Sequence, residues 1–239
     1  MIKRIFHLTI GLLFLLPTVV SFALAGEVID GIVATVNRQP LFQSDWEEAI
    51  CFEAFMQQKP IAQVTQADRL KALQRLIDRQ LLQAQMGGET FLRPSQDDID
   101  KDVAKLRAQV SNGADDRSWQ KLLANYGLSP DTLKAQLQSE VRVMNFVEVR
   151  LRPNVHVQPE EIEAYYKSQL LPDLQKNGGK IVAVDEVEPR IRELLVQQRM
   201  DELLDAWLHN LRQQAEIHST VAIPADNAVA DHDPASGAE

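Results

Sequence analysis

From Val28 to Trp46 the apolar positions first recur every second residue and then every third or fourth. Ile32, Ala34 and Val36 alternate with Val33, Thr35 and Asn37, and Leu41 and Phe42 resume the apolar run after a turn at Asn37 to Pro40. This pattern predicts a β-hairpin running straight into a helix. A two-stranded hairpin is marginal in water and leaves open edges, so another part of the chain must cover it.

Nearly all of the remaining chain has helical spacing. Ser44 with Glu47 predicts a capped first helix carrying Trp46, Ile50, Phe52 and Phe55, ended by Pro60. Thr65 with Asp68 opens a second, whose stripe of Leu70, Leu73, Ile77, Leu81 and Ala84 runs to Gly87 and Gly88. Pro94-Ser95 starts a third with Asp97 and Asp98 in its first turn, ending at Asn112-Gly113. A short fourth helix, Asp116 to Tyr126, carries Trp119, Leu122 and Leu123, and Ser129-Pro130 opens a long fifth. Arg152-Pro153 breaks that helix, and Pro159-Glu160-Glu161 begins another reaching Leu170.

Residues 171–184, with Pro172 and Asn177-Gly178-Gly179, are expected to be an irregular linker. Asp185 with Glu188 is expected to cap the last helix, whose apolar stripe runs from Val187 to Leu211. Beyond it Ala215, Ile217 and Ser219 alternate with Glu216, His218 and Thr220, a strand-like run that is the natural partner for the hairpin. The expected fold is mainly α, with a small antiparallel sheet joining the N-terminal hairpin to a C-terminal strand.

The first residues bear on the compartment. Lys3 and Arg4 precede an apolar run from Ile5 to Phe22, and Ala23-Leu24-Ala25 is a small-x-small cleavage site, so residues 1–25 are expected to be a secretory leader and the protein periplasmic. An uncleaved anchor is the competing reading, since the run is almost long enough to span a membrane, although His7, Thr9 and Pro17 interrupt it. Without Lys3 and Arg4 the 34 acidic residues outnumber the basic ones by about eleven, which argues against nucleic acid or an anionic membrane as partner. The lone Cys51 rules out an intrachain disulfide framework and is expected to pack as a small apolar residue. Residues 222–239, rich in Ala, Asp and Pro, are expected to be disordered.

No catalytic constellation stands out. His156, His209, His218 and His232 have no metal-ligand spacing, and the pairs Asp97-Asp98, Asp115-Asp116 and Glu160-Glu161 sit at helix starts, where capping accounts for them. Gly178-Gly179-Lys180 lacks the rest of a phosphate loop. Neither a metal nor a cofactor is expected. The functional signal that remains is apolar surface: Trp46, Phe52, Phe55 and Met56 from a first helix apolar around more of its circumference than a core stripe requires, and Trp119, Leu123 and Tyr126 from the short fourth helix.

The sequence VATVN, a turn, apolar residues and Ser44-Asp45, then PEEIEAYY, then the segment from Asp185 to Ile217, resembles the N-terminal chaperone domain of the SurA and PrsA family of periplasmic foldases, whose core is similar to the substrate-binding domain of trigger factor. The resemblance runs from about Val28 to Ser219 and implies one split domain over 26–221, its core at 28–170 closed by a helix and strand at 185–220. Relatives commonly have Asn-Gly in the hairpin turn; here Asn37-Arg38 leaves the turn type open. Relatives also insert a parvulin-type prolyl isomerase domain where this chain has only the 171–184 linker, far short of the roughly forty residues that fold unaided. The resemblance therefore implies a chaperone that needs no ATP, binds unfolded exported or outer-membrane polypeptides in an apolar groove, and could pair as a homodimer. The alternatives are isomerase activity through an unrecognised site and a dimeric envelope scaffold.

Overall fold

A computed structural model of the chain describes residues 30–87, 93–111, 115–178 and 181–222. The expected leader, the stops at Gly88 and Asn112-Gly113, and the expected disordered tail from residue 223 onward lie outside the described residues.

The hairpin forms as strands β1 (Ile32–Val36) and β2 (Gln39–Phe42), paired antiparallel with Val36 opposite Gln39. The register slips between Ile32 and Ala34, a bulge at Val33 that buries Val33 and Ala34 in succession and leaves Ile32 exposed. Asn37 and Arg38 both have positive φ, 50° and 67°, which is the two-residue turn matched to the strand twist. Asn tolerates that backbone through its short polar side chain, whereas Arg gains nothing from it. Arg38→Gly is therefore expected to raise stability by about 0.5 to 1 kcal/mol, read as a higher urea midpoint at unchanged slope, and Arg38→Val to lower it.

The third strand is β3 (Ile217–Ser219), antiparallel to β1 with Val36 opposite Ile217 and Ala34 opposite Ser219, so the order is β2-β1-β3. The Asn37 N–H donates to the Glu216 carbonyl at 2.9 Å, and the Glu216 N–H donates to the Asn37 side-chain oxygen at 3.0 Å. Pro40 is tolerated because β2 is an edge strand.

Helix α1 (Gln43–Met56) follows β2 without a loop. Its cap is not Ser44 as expected: Asp45 accepts from the Phe42 N–H at 3.0 Å, while the Ser44 N–H and hydroxyl both donate to Asp30. The Ser44 side chain thus ties the entering chain to the helix. In α2 (Gln66–Gln85) Thr65 and Asp68 make the reciprocal box, Thr65 N–H to Asp68 at 2.7 Å and Asp68 N–H to the Thr65 hydroxyl at 3.2 Å. Helices α3 (Gln96–Ser111), α4 (Asp116–Ala124) and α5 (Pro130–Leu151) come next, with Ser95, Asp115 and Ser129 as caps.

Past α6 (Pro159–Tyr165) the chain departs from the expected linker. A wide π-helical turn at Tyr166–Leu170 runs without a break into α7 (Leu171–Lys176), and Pro172, which has no N–H to donate, follows directly on that widened turn. The Tyr166 hydroxyl then donates to the Val182 carbonyl at 2.7 Å and returns the chain to α8 (Val184–Gln214). That helix starts at an uncapped Ala183, with Asp185 inside its first turn rather than capping it.

Apolar clusters fasten these elements to one another. Beneath the sheet, Val33, Val36 and Leu41 pack with Trp46 and Ile50 of α1 and Leu73, Leu76 and Ile77 of α2, and Leu211 of α8 and Ile217 of β3 close over them. On another face of α1, Phe52 and Phe55 pack with Trp119, Leu123, Leu128 and Leu133. Leu82, Val143 and Phe146 meet Leu204 and Trp207, joining α2, α5 and α8.

Candidate functional groove

A groove of about 570 Å³ opens where four helices meet. Helix α1 contributes Ala49, Phe52 and Met56, α2 contributes Leu76 and Leu82, α5 contributes Val143, Met144 and Val147, and α8 contributes Met200 and Leu204. Three of the five methionines in the chain line it. Met56 is 43 % exposed and Met144 65 %, while Met200 is buried in the floor. Unbranched thioether side chains repack around irregular apolar shapes, and the volume falls in the range of about 300 to 1,000 Å³ usual for ligand sites.

Charged residues ring the apolar surface, and most of them are paired across helices. Arg79 of α2 donates to Glu140 of α5 at 3.0 Å and to Gln136 at 3.1 Å, and Gln136 donates to Glu48 of α1 at 2.6 Å. Arg212 of α8 grips Asp78 of α2 through two nitrogens at 2.7 and 2.6 Å. Arg75 pairs with Glu53 of α1, and Arg152, just past the end of α5, pairs with Glu148 of α5 and with Glu193 of α8 at 2.9 Å. Burial pushes the Glu53 carboxyl above its usual range against the pull of Arg75. The pairs fix the spacing of the walls, so the groove is held open by polar contacts at its rim. Its lining carries more carboxylates (Glu53, Asp78, Glu140, Glu148, Asp201) than guanidinium groups (Arg75, Arg79).

The sequence-predicted residues divide between groove and core. Phe52 and Met56 line the groove, though Phe52 is mostly covered. Trp46 does not reach it; it packs beneath the sheet and donates its indole N–H to the Arg69 carbonyl at 2.8 Å. Phe55, Trp119 and Leu123 are buried in the second cluster, with Tyr126 half-buried beside them, and the Phe55 ring stands edge-on to Trp119 and Tyr126 at 5.9 and 5.4 Å. Little of these five is left as free surface: the sheet and α2 cover Trp46, and α1 and α4 cover each other through Phe55, Trp119 and Leu123. Cys51 is half-buried against the same cluster, and burial raises its thiol pKa.

Met144, Met200 and Leu204 were not among the residues expected at a binding surface. They belong to helical stripes that read equally well as core, and only the meeting of α5 with α8 leaves part of each stripe uncovered. The usable signal was the repeated choice of methionine, an adaptable residue, at three widely separated positions.

A family model described as the SurA-like N-terminal domain matches residues 1–147, which takes in the hairpin, α1, α2 and most of α5. No curated protein matches the chain.

Proposed function

The chain belongs to the family of SurA-like N-terminal domains, and from that premise we propose that it is a periplasmic chaperone that holds unfolded exported or outer-membrane polypeptides without ATP. The observation that carries this is the open apolar groove with half-exposed methionines, walled by four helices and framed by paired charges. An unfolded segment offers apolar side chains of no fixed shape, and a methionine-lined trough accepts many of them weakly. The acidic balance of the rim and of the whole chain keeps such a complex soluble. Phe52 and Met56 of α1, with Met144 of α5 and Leu204 of α8, are the residues we assign to contact the client.

The test is direct. When a urea-denatured outer-membrane barrel protein is diluted into buffer, a few-fold molar excess of the protein is expected to suppress light scattering with no nucleotide added. Undiminished scattering at several-fold excess would sink the proposal.

A further inference from the structure

Next to the groove, between the end of α1 and the start of α2, lies a second, smaller cavity of about 100 Å³. Glu53, Gln57, Ala72 and Arg75 line both. The small cavity reverses the charge of the large one: Lys59, Lys71 and Arg75 face Glu53 and Asp68. Lys59 is held by Asp68 at 2.5 Å, and Asp68, bonded to Lys59 and Thr65, stays ionised well below the usual carboxylate range. Arg75 is held by Glu53. Among the described residues, Lys71 is the charged group of this cavity whose amine makes no hydrogen bond or ion pair.

Resting on the chaperone reading, we propose that the occupant is the C-terminal segment of an unfolded polypeptide, its apolar side chains over the methionine floor and its terminal carboxylate at Lys71. Charge complementarity selects this occupant and its direction. The groove lining holds more carboxylates than guanidinium groups and the small cavity more cations than carboxylates, so an anionic end is favoured at the α1–α2 end, where the Lys71 ammonium is available, over the Asp201 side of the groove. The carboxylate also has nowhere else to go in the groove, since Arg79 is committed to Glu140. A terminal carboxylate and a terminal amide differ in charge alone at this point, so the preference is electrostatic and weakens with salt.

Two peptides of one apolar sequence, fluorescein-labelled at the N-terminus and ending in a free acid or an amide, separate the cases by fluorescence anisotropy at low ionic strength. The acid is expected to bind about three- to fivefold more tightly, as one partly exposed ion pair allows. Lys71→Met is expected to abolish the difference, and Lys71→Arg to keep it. Equal affinities of acid and amide for the unaltered protein overturn this inference and leave the chaperone proposal standing. Failure of both peptides to bind overturns the proposal beneath it.

Discussion

Phe55→Ala is expected to lower stability by about 3 to 5 kcal/mol, the usual cost of emptying a large aromatic site in a packed interior. Phe55 is fully buried and is the α1 residue through which α4, the turn after it and α5 are fastened: its ring contacts Trp119 of α4 and Tyr126 just beyond it, and its cluster includes Leu133 of α5. Truncation leaves a void bounded by two further aromatic rings that lose their edge-to-face partner. The site collapses poorly, because α1 is also pinned on its opposite face by Trp46 and Ile50 beneath the sheet. Urea unfolding followed by circular dichroism reads the effect as a large drop in midpoint. The neighbouring Met56→Ala supplies the contrast, since a side chain 43 % exposed is expected to cost less than about 1 kcal/mol. Equal losses from the two variants would show that the burial of Phe55 contributes nothing special.

The complementary result concerns activity without stability. Met56→Asp combined with Met144→Asp is expected to leave the urea midpoint nearly unchanged, because both side chains reach solvent already. The same double variant is expected to require at least about tenfold more protein to suppress aggregation of the denatured barrel protein. Two apolar contacts worth about 1 kcal/mol or more each are lost from the complex, and two more carboxylates are added to a lining that already has an excess. Unaltered suppression by a folded double variant would move the client site away from this groove.

Much of the architecture is set by local chemistry. The pairing of β3 with β1 could be anticipated because a short hairpin cannot stand alone and the alternation from Ala215 to Thr220 was the available match. The starts of α2 and α5 could be read from Thr65-Asp68 and Ser129-Pro130, since these side chains satisfy backbone groups a few residues away. Ser44 is not the cap because the helix starts one residue before it, with Asp45 accepting from the Phe42 N–H, and the Ser44 hydroxyl donates instead to Asp30, fourteen residues earlier. Residues 171–176 differ for another reason: a proline and a glycine-rich turn signal a loop, yet the helix continues through Pro172, which directly follows a π-helical turn.

The groove was harder to see. The unusually wide apolar circumference of α1 was visible, and its cause is that α1 is covered on two faces, by the sheet with α2 and by α4, before its last turn reaches open space at Met56. An aromatic residue in the sequence announces a large apolar side chain but not which neighbour arrives to cover it. The opposite wall comes from α5 and α8, distant in sequence, and exposure there is decided by how two stripes cross.

The contact that closes the sheet joins Asn37 to Glu216, 179 positions apart. Such a closure has a temporal meaning for a chain that emerges N-terminus first. The edge of β1 that takes β3 stays unpaired until residues 217–219 have been made, and α8, which supplies one wall of the groove, is completed only just before them. A groove walled by helices so far apart in sequence is therefore absent from the half-made chain and is completed only as β3 finds its place on β1.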